Sequence, residues 1–301
     1  VKTDKELFDW LRTKYPQTKD EPFRVIEIGH QNRVIVSGNS LVFRFPRTEE
    51  DIRNMKRELR VLPELQKRVN LPIPHFIDSS LKNDPPPYVV YPWMEGTPLS
   101  RDSFASLQGK DKRQLAKDLG MFLGKLHTFP IDRIETWDQV EVKKRWRKRW
   151  KGYLKNIYTH VSPHIGSIEM QWIAEVFDRY LSSPRLSEFQ PALIHADFKP
   201  GHILYDFDKK KTMGVIDFGS LQIADPAFDF ESLFLRFGED FAREVLRNYT
   251  APQDRRFFDR VIKFYAVVMP FNRYIGAIQK NEKEIIKEMK RWLQQESQSS
   301  K

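Results

Sequence analysis

The 301-residue chain contains no cysteine. That excludes a disulfide framework, a thiol nucleophile, and zinc or iron–sulfur sites built on cysteine. Long apolar runs are missing too. A membrane-spanning helix needs about 18 consecutive apolar residues, and the richest stretch, Val261–Phe271, is interrupted by Lys263 and Pro270. The opening VKTDKELFDW lacks the basic-then-apolar character of a secretory leader. There is no internal repeat and no low-complexity segment. These absences predict a soluble, cytoplasmic protein with no membrane partner. What is present suffices for a sizeable core, since 40% of residues are hydrophobic and 13% aromatic.

Lys and Arg outnumber Asp and Glu, for a formal charge of +10. Much of the excess lies in Lys143–Lys151, KKRWRKRWK. Val142, Trp146, Trp150, Leu154, Ile157 and Val161 recur there at spacings of three or four, which predicts a helix over about 140–160 with one apolar stripe. The basic residues then fall on its remaining, solvated faces. Zinc-finger spacing, an aromatic RNA-binding signature and sustained heptads are all absent, so the charge does not call for a nucleic-acid partner.

Patterning divides the chain near residue 94. The first part opens with a helix capped by Thr3, its apolar face Leu7, Trp10, Leu11 and Tyr15. Short β-rich runs follow at Phe23–Gly29, Arg33–Gly38 and Ser40–Phe45, with Gly38-Asn39 as a hairpin turn. A helix is expected from Thr48 to about Arg68, bent or shortened by Pro63, then strands at His75–Ser79 and Tyr88–Tyr91. After Glu95 helices dominate: Asp111–Thr128, the basic helix, Ser167–Leu181, and most of Pro226–Gln295 before a frayed tail. Two short apolar strands, Ala192–His195 and Met213–Asp217, interrupt them. The expected architecture is α+β and bilobal, with a small β-rich lobe (1–94) and a larger α-helical lobe (95–301).

The densest chemistry lies in His195-Ala-Asp197-Phe-Lys-Pro-Gly-His202, followed by Val215-Ile-Asp217-Phe-Gly. Two carboxylates are expected at the C-terminal edges of adjacent strands, separated by a hairpin turn at Asp206-Phe-Asp208. Such a pair suits phosphoryl transfer, in which one carboxylate orients a hydroxyl and the other holds Mg²⁺ on nucleotide phosphates. His202, five residues after Asp197, can offer a ring nitrogen to the same ion. Asp225 followed by Pro226 reads as a helix cap, and His195 as a buried structural residue.

HADFKPGHILYD together with GVIDFGSLQIADPAFDFESL resembles the aminoglycoside phosphotransferase family, whose fold is similar to that of protein kinases. The segment layout matches from about Phe23 to Gln295. His202, in place of the kinase Asn, and the strand Phe43-Arg-Phe-Pro46 are similar to the 2″-phosphotransferase branch; the PGHIL portion also resembles macrolide 2′-phosphotransferases. The resemblance implies that Asp197 is the catalytic base and that His202 and Asp217 hold magnesium. It puts Arg44 where the family has a phosphate-binding Lys, with Glu58 as its partner. Arg keeps its charge and can fork to two oxygens.

Tyr88–Gly96 reads as the strand and hinge joining the lobes. There the Pro92 carbonyl accepts from a purine and the Met94 N–H donates to one, since Pro92 has no N–H. Tyr91 falls at the position whose bulk, in the 2″ branch, accompanies use of GTP, so GTP is expected to serve at least as well as ATP. The loop from Gly29 to Val34 should cover the phosphates but lacks GxGxxG. The implied activity is transfer of a γ-phosphate by a monomer to a hydroxyl of a small molecule, first an aminoglycoside. Asp229 and Glu231 are candidates either to contact its ammonium groups or to support the catalytic loop. The stretch that is strongly acidic in that branch reads SLFLRF here, so a macrolide or another hydroxylated metabolite is the alternative. A protein kinase or a non-catalytic nucleotide-binding module fits the motifs less well.

Overall fold

The computed structural model describes residues 3–26, 32–82, 86–133 and 136–299. By contacts the chain divides into two units, residues 1–126 with 199–221 and residues 127–198 with 222–301. This partition differs from the lobes 1–94 and 95–301, because the long helix ending at His127 and the hairpin after Lys199 pack with the N-terminal residues.

Helix α1 (Asp4–Lys14) starts at a capping box in which Thr3 accepts from Glu6 N and the Glu6 carboxylate accepts from Thr3 N. The strands β1 (Phe23–Ile26), β2 (Asn32–Ser37) and β3 (Leu41–Pro46) form antiparallel hairpins, turned between β2 and β3 at Gly38 with φ +50°. Helix α2 (Glu49–Gln66) is capped by Thr48 and carries Pro63 without ending there. Strands β4 (Asp78–Ser80) and β5 (Tyr88–Pro92) complete an antiparallel sheet in the order β1-β2-β3-β5-β4. Leu7, Leu11 and Tyr15 of α1 bury one face of it against Ile35, Phe43 and Tyr88, the periodicity expected from the sequence.

The chain continues through β6 (Thr97–Pro98), α3 (Arg101–Ala105), α4 (Gly109–His127), α5 (Gln139–Val161), α6 (Ser167–Ser182), α7 (Pro184–Ser187) and β7 (Ala192–Ile194). Then come β8 (Ile203–Asp206), β9 (Lys211–Val215) and β10 (Gln222–Ala224). The hairpin turn expected at Asp206-Phe-Asp208 is present, joining β8 to β9, and the strand β8 entering it corrects one expectation. The strands preceding Asp197 and Asp217 are not neighbours: β7 pairs with β10, whereas β9 pairs with β8 in the sheet β6-β8-β9. The apolar run Ile203-Leu-Tyr, buried along its length, supplies β9 with a closer partner through the turn after Asp206.

Helices α8 (Glu231–Phe237), α9 (Glu239–Arg247), α10 (Phe257–Arg260), α11 (Ala266–Val268), α12 (Pro270–Gln279) and α13 (Lys283–Ser299) finish the chain. The expected frayed tail is instead helical to Ser299, with Ser297 buried. Among the described residues no helix is long and apolar enough to cross a membrane.

In the second unit, the apolar stripe of α5 packs Trp146 and Trp150 against Phe228, Phe264 and Tyr265. At its centre Arg260 forks onto the buried Asp225 carboxylate at 2.6 and 3.1 Å, and Tyr265 OH donates to the same carboxylate at 2.6 Å. Arg260 and Tyr265 are five residues apart. A π-helical turn over Val261–Tyr265 brings such positions to one face, as an α-helix would not. Asp225 also accepts from Ala227 N ahead of Pro226, which is the cap expected from the sequence. Removing Arg260 would leave a buried, unpaired carboxylate. Arg260→Met should therefore lower unfolding stability by about 3–5 kcal/mol in chemical denaturation, and a loss under ~1 kcal/mol would show the ion pair to be dispensable.

Candidate active site

The backbone after β7 turns sharply: Ala196 adopts φ 63°, left-handed for a residue with a Cβ. The turn is held from the side chain of Asp229, whose carboxylate is fully buried. Its two oxygens accept from His195 N at 2.7 Å and Ala196 N at 2.8 Å, and one also accepts from His127 Nε2 at 3.0 Å. His127 Nδ1 meets Tyr249 OH at 2.8 Å. In a neutral imidazole whose Nε2–H donates to the carboxylate, Nδ1 is the acceptor and Tyr249 the donor. Burial, with Asp229 nearby, pushes the Tyr249 hydroxyl far above its ordinary pKa, so it keeps its proton. His195 is buried as expected, and its Nδ1 lies 3.3 Å from Asp197 N. Asp197 itself is half-buried at the end of this pinned turn.

Of the two roles expected for Asp229, these contacts match support of the catalytic loop and not contact with a substrate amine, because its carboxylate is out of solvent and occupied by the turn's own N–H groups. Glu231 is half-buried at the start of α8, close enough to help raise the Tyr153 pKa. Sequence reasoning gave no role to His127 or Tyr249, which lie far from the motif along the chain.

From Asp197 the chain passes through a 3-10 turn to His202 and returns along β8 and β9 to Asp217. The 3-10 turn and the loop after β9 are tied by Ile216 N donating to His202 O at 2.9 Å. Asp217 is also left-handed, at φ 66° and ψ 64°, and directs Oδ2 to within 3.2 Å of His202 Nε2. One ligand atom from each of Asp197, His202 and Asp217 lies within 4.8 Å of the others. Two carboxylate oxygens and one imidazole nitrogen at that spacing fit a divalent cation that keeps part of its water shell.

Arg44 lies on β3, paired between Val34 and Val89, and its guanidinium forks onto Glu58 of α2 at 2.7 and 3.0 Å. Both side chains are almost wholly buried. Burial disfavours the Arg44 charge, but the Coulomb attraction and hydrogen bonds of Glu58, with Tyr91 and Asp217 adding to them, together outweigh it and hold the pKa above the ordinary arginine value. The Tyr91 hydroxyl is pushed up to about 12 by burial, with Arg44 opposing and Asp217 assisting.

At the end of β5, Trp93 N donates to Ser40 O at 2.8 Å. Ladder alternation then turns the carbonyl of Pro92 away from β3. The Met94 N–H has no hydrogen-bond partner among the described residues. Met94 is held from below at Gly214, where an added Cβ would come within 2.6 Å of both Met94 Cε and Pro72 O. The expected phosphate loop after Gly29 falls largely outside the described residues.

A model of the phosphotransferase enzyme family matches residues 22–260. The fold is also similar to solved structures. The GDP and kanamycin complex of APH(2″)-IIIa matches with TM-score 0.83 and 22% identity, covering 98% of this chain and 99% of that one. ADP-bound APH(2″)-Ib matches with TM-score 0.69 and 21% identity, covering 97% of each chain. Macrolide 2′-phosphotransferase type I matches with TM-score 0.68 and 19% identity, covering 97% and 98%. The expected α+β, kinase-like fold is thus the one observed.

The grip of Asp229 on the turn is directly measurable. Asp229→Asn turns one acceptor oxygen into an NH₂ group facing an N–H donor. Amide hydrogen exchange at His195 and Ala196 should rise by at least about tenfold; unchanged protection would show that the turn is held by other means.

Proposed function

Because the chain belongs to the phosphotransferase enzyme family, we propose that it moves the γ-phosphate of a nucleoside triphosphate to a hydroxyl of a small molecule. The observation that carries this reading is the convergence of Asp197, His202 and Asp217, each beside a backbone turn. Asp197 orients the acceptor hydroxyl and takes its proton. The hydroxyl oxygen bonds to the γ-phosphorus as the bond to the β–γ bridging oxygen breaks, and nucleoside diphosphate leaves. Magnesium held by Asp217 and His202 would neutralise phosphate charge. Arg44, steadied by Glu58, supplies fixed positive charge toward the phosphates without further reorganisation. The Pro92 carbonyl and Met94 N–H receive the base. In this reading residues 1–94 bind nucleotide, and residues 95–301 carry the base, the metal ligands and the acceptor site.

Tyr91 supports GTP as a donor at least equal to ATP. For the acceptor, likeness to proteins solved with aminoglycosides supports that class first. A second reading, a macrolide or another hydroxylated metabolite, is favoured by the withdrawal of Asp229 into the turn, which leaves a polycation fewer carboxylates.

Coupled nucleotide-consumption assays with ATP and with GTP, against aminoglycosides, macrolides and simple hydroxylated metabolites, test the reading. At least one acceptor should stimulate turnover, with GTP giving kcat/KM no lower than ATP; clearly better turnover with ATP would remove the role given to Tyr91. Asp197→Ala should lower kcat by about 10²- to 10⁴-fold with nucleotide affinity nearly intact. Asp217→Ala should weaken metal-dependent nucleotide binding as well. Near-normal transfer by Asp197→Ala would show the base to be another group.

A further inference from the structure

From Val142 to Ile168 the chain carries eight Lys or Arg and no Asp or Glu. Two of the flanking cations on α5 are occupied, Lys143 by Glu188 and Arg147 by Ser187 and the Leu181 carbonyl. Arg145 and Arg149, one turn apart on the opposite flank, are exposed, and neither has a carboxylate partner among the described residues.

Arg149 is nevertheless fixed in place. Its guanidinium carbon lies 5.0 Å from the ring centre of Trp146, 5.5 Å from that of Phe228 and 5.8 Å from that of Trp150. An N–H reaches Gln222 Oε1 at 3.5 Å. A cation on such an aromatic shelf is partly stripped of water. The surrounding rings desolvate the group and lower its pKa from the ordinary arginine value, with Tyr265 and Tyr153 opposing. Gln222 is the first residue of β10 and pairs across the ladder with Ile194 of β7, three residues before Asp197. A preorganised, uncompensated guanidinium therefore stands beside the strand that delivers the proposed base.

We infer that Arg149, assisted by Arg145, forms a subsite for an anionic group, a carboxylate or a phosphate ester, carried by the acceptor. The inference rests on the phosphotransferase reading and names the acceptor chemistry which that reading leaves open: a hydroxylated anion in place of a polycation. A planar guanidinium with free N–H groups matches carboxylate and phosphate oxygens. The aromatic shelf holds it extended before the ligand arrives, which lowers the ordering cost of binding.

The test uses the full-length protein and paired acceptors: glycerate against glycerol, glucose 6-phosphate against glucose, and kanamycin as a polycation. The anionic member of at least one pair should have kcat/KM about tenfold or more above its neutral partner. Arg149→Gln should raise its KM about tenfold or more, leaving the neutral partner and the nucleotide KM unchanged. Arg149→Lys should keep part of the advantage. Arg145→Gln, which disturbs no aromatic packing, should give a smaller loss of the same kind. Equal use of both members, preference for kanamycin, or full retention of anion use by Arg149→Gln would overturn the inference.

If no acceptor of any charge consumes nucleotide, the phosphotransferase reading fails first. Binding of inorganic phosphate, followed by calorimetry without nucleotide, then decides the subsite separately. Saturable binding lost in Arg149→Gln supports it, and binding that is absent or unaltered by that substitution overturns it.

Discussion

The chemistry of this protein depends on one buried carboxylate. Asp229 accepts the N–H groups of His195 and Ala196, and those bonds fix a left-handed alanine immediately before Asp197. Left-handed backbone costs an ordinary residue about 1–2 kcal/mol, whereas hydrogen bonds to a charged group contribute about 1.5–3 kcal/mol each. Two such bonds outweigh the strain, so the turn is stable as built and Asp197 is held before any ligand binds. Asp229 is steadied in turn by the 3-10 segment Pro226–Phe230, whose cap, Asp225, is clamped by Arg260 and Tyr265. The path from the π-helical turn to the pinned loop consists of hydrogen bonds between buried groups, none of which leaves a charge without a partner.

The Arg44–Glu58 pair shows a different use of burial. Replacing such a pair by apolar residues would often cost nothing or add stability, so stability alone does not account for it. What the pair provides is a cation that stays charged without water, fixed on β3 and within the field of Asp217 and Tyr91. Arg149 supplies the contrast. It too is fixed, but by rings and an amide, and among the described residues its charge has no carboxylate such as Arg44 has.

Much of this was legible in the sequence wherever a local signal exists. The Thr3 cap, the helix beginning near Thr48, the apolar stripe of α5 and the cap at Asp225 follow from spacing and side-chain chemistry over a few residues. So does the strand–turn character around Asp197 and Asp217. Contacts between distant segments were harder to read. The turn at Asp206-Phe-Asp208 was legible, but the strand before it and the fact that β7 and β9 belong to different sheets were not, because three apolar residues beside a Pro-Gly turn look like loop until their partner is known. For Asp229, ligand contact and support of the catalytic loop both stayed open, because its three partners lie 33, 34 and 102 positions away. His127, isolated in sequence, showed no pattern at all. The kinase-like resemblance supplied the roles; the geometry shows that Asp197, His202 and Asp217 converge.

The central claim is that Asp217 and His202 hold the metal on which a triphosphate is presented to Asp197. It is tested most directly by crystals grown with Mn²⁺ and a non-hydrolysable GTP analogue, examined by anomalous diffraction. The account expects a manganese peak within bonding distance of the Asp217 carboxylate and the His202 imidazole, with the terminal phosphate facing Asp197. A nucleotide bound with its metal elsewhere, or with Asp197 turned away from the phosphate, would contradict it.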